Sequence, residues 1–195
     1  MRILTDMKVL HPMSKVEYSL LFQRLGLRAQ ALQDILKIYN PLDDFHTEIP
    51  TIEECEKFIS GNEIYSFDFI DFLQWLDIKI NKYTKSVLDK YQPREYIRVL
   101  TCESKEELWQ YQPMMKNCPL ELHNTIVNRV AILADYREIN IIYDNIKNEE
   151  KEQYDSWGNT KRLELPIEEY ITNYKQRIEQ ESQWRSGYKE DWSMD

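Results

Sequence analysis

Glycine is scarce in this chain, which has four glycines and seven prolines in 195 residues. All-β folds depend on tight turns whose left-handed backbone conformation glycine adopts easily, so this composition disfavours them. It also leaves little flexible backbone to wrap a phosphate, and neither a glycine-rich phosphate loop nor a nucleophile elbow occurs in the sequence. The composition therefore favours helices.

The sequence also lacks an uninterrupted apolar run of membrane-spanning length. Its most apolar stretch, 64–80, contains Asp68, Asp71 and Asp77. We find no basic-then-apolar secretory leader, and the three cysteines are widely spaced and odd in number. These features predict a cytoplasmic protein with reduced thiols rather than a disulfide framework.

Metal-binding and catalytic spacings are missing as well. The histidines His11, His46 and His123 lie far apart, and there is no His-x3-His or Cys-x2-Cys pair. Asp77 and Lys79 have the Asp-x-Lys spacing of some nucleases, but the pattern around them is helical. We therefore predict no catalytic, cofactor or metal site. An enzyme whose residues converge only in three dimensions stays an alternative.

The strongest pattern present is a long helix at 66–91. Ser66 is a candidate N-cap, Asp68 suits the positive end of the helix dipole, and Pro93 stops the continuation. Apolar residues recur every three or four positions, as on one helix face. These residues are Phe69, Leu73, Leu76, Ile80, Tyr83, Val87 and Tyr91.

Shorter helices are predicted on either side of this central one. Ser14 with Glu17, and Thr51 with Glu54, have the form of capping boxes. Helices are expected from about 16 to 25, 28 to 39, 52 to 60, 105 to 111 and 167 to 181. Strands are expected at 96–102 and 161–165.

Segment 119–146 has two interpretations. Ile126, Val130 and Leu133 form a helical stripe, yet the segment is rich in β-branched residues that suit a hairpin turning near 135–137. We predict the helix, with the hairpin as the alternative.

The predicted fold is mainly α, with a helical N-terminal bundle organised on the central helix and an α or small α+β C-terminal part. We divide the chain into an acidic helical subdomain (1–92), a C-terminal subdomain (93–183) and a polar tail (184–195).

Nearly all of the net charge of −9 lies in one segment, 43–71, which holds nine carboxylates and a single base, Lys57. Such a segment repels nucleic acid and attracts basic surfaces over a Debye length of ~8 Å at physiological salt. One interpretation is a solvated acidic face. The other is a docking surface, with the interleaved Phe and Trp side chains as hot spots. The predicted partner-binding residues are Asp43, Asp44, Glu53, Glu56, Glu63, Asp68 and Asp71.

Two helix pairs also suggest a DNA-binding alternative. The phrase 58–62 followed by the helix from Ser66 to Ile78 resembles the last helices of a Cro/repressor-type helix-turn-helix domain. That resemblance implies a recognition helix, but the helix in its place is acidic and poorly suited to phosphates. A second candidate turn around Gly26 precedes a helix with Arg28, Gln30 and Gln33, which could reach bases. At both places the favoured interpretation is two core helices joined by a short turn.

These observations lead to three functional hypotheses. The first is a non-catalytic acidic protein-binding module. Such a module would be an inhibitor, immunity or anti-defence protein that mimics nucleic acid on a partner's basic surface, comparable in type to small acidic proteins of mobile genetic elements. The second is a helix-turn-helix-like DNA-binding regulator. The third is an enzyme without a visible motif. The first predicts a basic protein partner, no membrane and no direct nucleic-acid binding.

Overall fold

The computed structural model describes residues 13–39, 49–145 and 160–190. It is mainly helical, with a small parallel sheet, as the sequence predicts. Within the described residues the helices are α1 (Lys15–Arg24), α2 (Ala29–Tyr39), α3 (Ile52–Ile59), α4 (Phe67–Leu88), α5 (Lys105–Tyr111), α6 (Leu120–Tyr136) and α7 (Ile167–Glu190). The strands are β1 (Tyr96–Thr101), β2 (Asn140–Asn145) and β3 (Thr160–Lys161).

Side-chain caps fix where several helices begin. Both predicted capping boxes form: Glu17 accepts a hydrogen bond from the Ser14 amide at 2.7 Å, and Glu54 accepts one from the Thr51 amide at 2.7 Å. At the start of α4, the Ser66 hydroxyl accepts a hydrogen bond from the Phe69 amide at 3.1 Å. Each cap satisfies amides that have no partner within the helix, so these starts are readable from the sequence.

Helix α4 supplies the centre of the hydrophobic core. Its stripe residues Phe69, Leu73, Leu76, Ile80 and Val87 are buried as predicted, and Phe72, which lies off the predicted stripe, is buried as well. They belong to one cluster with buried side chains from the other helices and from β1. The cluster includes residues from both sides of position 92. The division into two subdomains stays a prediction.

The sheet has the order β2-β1-β3, with both pairings parallel. Parallel strands cannot be joined by a tight turn, and the chain between β1 and β2 accordingly passes through α5, a 3₁₀ turn at 113–115 and α6. In β1, Ile97 and Val99 are buried, while Tyr96 is 65% exposed. The predicted strand at 96–102 is confirmed.

Four segments differ from the prediction. The predicted strand at 161–165 is shorter and earlier, since β3 covers only Thr160–Lys161. Segment 119–146 is a helix followed by a strand, so the hairpin alternative is wrong, and the β-branched residues at its end belong to β2. Helix α4 ends at Leu88 rather than Tyr91, so the helix stops several residues before Pro93 and the proline does not set its end. Helix α7 runs to Glu190, into the segment predicted as a polar tail.

The turn between α1 and α2 requires glycine for two reasons. Gly26 has a φ of +67°, which L side chains rarely adopt. A Cβ placed there would also lie 2.2 Å from the Thr125 hydroxyl oxygen and 3.0 Å from the Glu121 carbonyl oxygen of α6. The turn is therefore packed directly against α6.

A partly buried charge network joins α1, α4 and α6. The Arg129 guanidinium of α6 donates to the Asp77 carboxylate at 2.6 Å, to the Asn81 side chain at 2.8 Å and to the Arg24 carbonyl oxygen at 2.6 Å. The Arg24 guanidinium lies 3.3 Å from the other Asp77 oxygen. Asp77 is only 8% exposed, so its charge depends on these partners.

We expect Asp77→Ala to lower the free energy of unfolding by ~3 kcal/mol, because it leaves the Arg129 guanidinium without its carboxylate in a largely buried site. Asp89→Ala is the matched control. Asp89, directly after α4, also pairs with Arg137, directly after α6, at 2.9 Å, but the Asp89 side chain is 62% exposed. Its loss should cost less than ~1 kcal/mol. Urea unfolding measures the free energy of unfolding of both variants. Equal decreases in the two variants would contradict the role assigned to the buried network.

Candidate functional site

The acidic residues of α3 lie on its exposed side. Glu53 and Glu56 are three residues apart and both are exposed, whereas Cys55 between them is fully buried. Burial raises the pKa of the Cys55 thiol to about 11, so this side chain acts as an apolar packing group. The helix thus presents carboxylates outward because its other side packs inward.

The first turns of α4 contribute two more carboxylates with different environments. Asp68 is exposed, and Asp71 is half-buried. Partial burial, together with the nearby Asp68 charge, raises the pKa of the Asp71 carboxyl, and the Arg177 charge offsets this in part. Asp71 is therefore coupled both to the acidic neighbour and to α7. This makes it a poor residue for a surface substitution.

The remaining predicted binding residues are less informative. Glu63 is exposed and lies 3.7 Å from the Lys57 ammonium, which is the single base of segment 43–71. Asp43 and Asp44 lie outside the described residues. The structure places Glu53 and Glu56 on one side of α3, and Asp68 beside Asp71.

The apolar side chains near these carboxylates are not the ones expected from the sequence. Phe69 and Phe72 are 1% and 0% exposed, so they belong to the core and cannot act as interface hot spots. The exposed apolar side chains of the same region are isoleucines: Ile49 at 47%, Ile52 at 36% and Ile64 at 47%. The spacing of apolar residues along the sequence could not separate the buried phenylalanines from the exposed isoleucines, because burial depends on which helices pack against each position.

The α1–α2 pair is poorly arranged as a DNA-reading unit. The Gln33 side chain donates a hydrogen bond to the Pro50 carbonyl oxygen at 2.9 Å, and that of Gln30 donates to Asp34 at 3.1 Å. The Arg24 guanidinium is held by Asp77. Arg24, Arg28 and Gln30 are exposed, but Arg24 and Gln30 already contact neighbouring carboxylates. The turn that precedes α2 is packed on α6, which leaves little room for a groove-binding role.

A buried polar cluster lies at the carboxyl end of β1. His123 and Gln112 are both 0% exposed, and the Gln112 amide nitrogen is 3.0 Å from the histidine Nε2 and 3.8 Å from the Cys102 sulfur. Burial lowers the pKa of His123 to about 4 and raises that of Cys102 to about 11. The imidazole and the thiol are thus both neutral near pH 7. The sequence alone could not show that His123 and Cys102 both contact Gln112, because the two residues lie far apart in the chain.

This cluster has few features of a catalytic centre. A Cys–His nucleophile needs a thiolate and access for a substrate, whereas this thiol is buried with a raised pKa. Among the described residues no group of three or more His, Cys, Asp or Glu side chains could hold a metal ion. In the same part of the chain, none of the helices is long and apolar enough to cross a membrane.

Buried His123 should make stability depend on pH. Its pKa is about 4 in the folded chain and about 6.5 ordinarily, so between these values the unfolded chain binds a proton that the folded chain does not. Stability contributed by the neutral imidazole is therefore lost as pH falls from about 6.5 to about 4. His123→Leu should reduce the slope of unfolding free energy between pH 5 and 6.5 by up to ~1.4 kcal/mol per pH unit. An unchanged slope in urea titrations would show that His123 is not buried in its neutral form.

Comparisons with known proteins place this chain in no family. No protein-family model matches it, and no curated protein matches it either. Fold class alone does not assign a function, because one fold supports many.

Proposed function

We propose that this protein is a non-catalytic binding module that docks its acidic face onto a basic surface of a partner protein. The acidic face is defined here as Glu53, Glu56, Glu63 and Asp68. The observation that carries the proposal is that these carboxylates are all exposed, while Cys55 between them and Phe69 and Phe72 after them are buried. The charge is thus concentrated on a folded surface.

The apolar residues of this region support docking rather than simple solvation. Ile49, Ile52 and Ile64 are each exposed by more than a third of their area and lie on the same stretch as the acidic face. Interfaces combine apolar side chains with polar ones, and this stretch exposes both. Exposed carboxylates and isoleucines suit a partner whose surface carries lysine and arginine beside apolar side chains.

A basic surface of that kind is what proteins use to hold a nucleic-acid backbone. We therefore propose that the module acts as an inhibitor, occupying such a surface as a nucleic-acid mimic. The immunity and anti-defence proteins of mobile elements fit this mode of action. We also propose a cytoplasmic location, since all three cysteines are free thiols and buried.

The charge-reversal variant Glu53→Lys, Glu56→Lys, Asp68→Lys tests the proposal. It omits half-buried Asp71. We expect it to fold and to bind the partner at least ~10-fold more weakly, because the local field is reversed. A matched control reverses three exposed acids elsewhere and changes the net charge equally: Glu106→Lys, Asp135→Lys, Glu179→Lys.

The partner is taken as the protein that wild-type bait retains from cells of the source organism and that duplex DNA displaces. Affinities of wild type, variant and control are then measured at two salt concentrations, with thermal melting as the folding check. Wild-type affinity should fall as the salt concentration rises. The variant Glu53→Lys, Glu56→Lys, Asp68→Lys should bind more weakly than wild type, whereas the control variant should keep the wild-type affinity. Equal affinity of the two variants, or a wild-type bait that retains no DNA-displaceable protein, would contradict the proposal.

A further inference from the structure

An open cleft lies where α2, α5 and α7 meet. Its volume is about 610 Å³, within the range of roughly 300–1,000 Å³ typical of small-molecule sites. None of its lining residues belongs to the acidic face defined above. The lining residues are Asp34, Lys37, Ile38, Lys105, Trp109, Asn117, Glu168 and Thr172.

Two lysines share one carboxylate on one side of this cleft. The Lys37 ammonium lies 3.1 Å from one oxygen of Asp34, and the Lys105 ammonium donates to the other oxygen. Partial burial would raise the pKa of Asp34, but the hydrogen bonds from Lys105 and Lys37 hold it below its usual value. Two positive charges therefore face one negative charge, and each ammonium has further N–H donors to offer.

Trp109 forms a fixed wall of the same cleft. Its indole N–H donates to the Cys118 carbonyl oxygen at 3.0 Å, which holds the ring in one orientation. The ring is half-buried, packs against the hydrophobic core and, with Ile38, supplies the apolar part of the lining. A ring held in this way can stack on a planar ligand without a further loss of rotamer freedom.

The lining residues that α7 and residue 117 contribute are polar or acidic. The Asn117 amide donates to the Glu168 carboxylate at 2.7 Å. Thr172 lies one turn further along α7, with its hydroxyl donating to the Glu168 carbonyl oxygen at 2.9 Å. A carboxylate and an amide among these residues can accept hydrogen bonds from hydroxyl or amino groups of a ligand.

We propose that this cleft binds a nucleoside phosphate. The phosphate would lie against the paired ammoniums of Lys37 and Lys105, the planar base would stack on Trp109, and its polar edge or the ribose hydroxyls would meet Asn117 and Glu168. This order places the anionic end of the ligand at the excess positive charge and its neutral donors at the carboxylate. The proposal goes beyond the docking function and does not depend on it.

The test follows the Trp109 indole N–H signal in two-dimensional ¹H–¹⁵N spectra of the full chain, assigned by its loss in Trp109→Phe. AMP, GMP, CMP and UMP are titrated separately, beside adenosine and inorganic phosphate. We expect at least one nucleotide to shift the signal with a dissociation constant below ~1 mM. Adenosine and phosphate alone should each bind at least ~10-fold more weakly, since each makes half of the contacts.

Two variants alter the part of the cleft proposed to bind the phosphate, and they should change nucleotide affinity in opposite directions. Lys37→Gln with Lys105→Gln should weaken nucleotide binding by ~10-fold or more, because it removes both charged donors. Asp34→Asn should tighten it several-fold, since the ammoniums lose their competing carboxylate. The control is Lys82→Gln with Lys85→Gln, which removes the same charge from exposed positions of α4 and should leave binding unchanged.

The outcomes separate cleanly. Tightening by Asp34→Asn tests the site even if the double lysine variant fails to fold. The proposal is overturned if no nucleotide shifts the Trp109 signal at about 10 mM. It is also overturned if phosphate alone binds as tightly as the nucleotides, or if the control variant weakens binding as much as the cleft variant does.

Discussion

The rest of the fold depends on aromatic packing along one side of α4, where rings of α4 contact rings of α2 and α7. The ring of Phe72 lies 5.4 Å from those of Tyr39 in α2 and Tyr174 in α7, and Trp75 lies 5.5 Å from Tyr170 of α7. Edge-to-face and tilted contacts of this kind add ~0.5–1.5 kcal/mol each beyond the area that they bury. They join residues far apart in sequence, so α4 is stable only with its neighbours in place.

Polar groups then hold the same helices in register. The Tyr174 hydroxyl donates to the Asp68 carbonyl oxygen at 3.2 Å, and the Lys175 ammonium lies 4.0 Å above the Tyr39 ring. Arg129 connects the middle of α4 to α6 and to the end of α1. Because the inner sides of α3 and α4 pack into the core, Glu53, Glu56 and Asp68 are left on the outside, whereas Asp77 of α4 is buried in the charge network. In this account the acidic face is a consequence of how the core is built.

Features that depend on neighbouring residues were predictable from the sequence. The capping boxes at Ser14 and Thr51, the Ser66 cap and the buried stripe of α4 are set by spacings of three or four residues. The mainly α architecture follows from them. The parallel pairing of β1 with β2 was not predictable, because it joins strands separated by two helices.

The candidate sites show the same limit. The exposure of Glu53, Glu56 and Asp68 followed from helix periodicity, whereas the surface role of Ile52 and Ile64 did not. The cleft brings together Lys37, Lys105 and Trp109 from α2 and α5. The buried polar cluster at the end of β1 brings together His123 and Cys102 through Gln112. Each depends on contacts between residues distant in sequence, about which local patterns carry no information.

The central claim is that α4 forms one core with the helices on both sides of it in the sequence. Native-state hydrogen exchange at increasing urea concentrations tests this most directly. We predict that the slowest amides of α4, α6 and β1 share one opening free energy and one urea dependence, equal to those of global unfolding. Exchange of α6 and β1 through a lower-energy opening that leaves α1 to α4 protected would contradict the account.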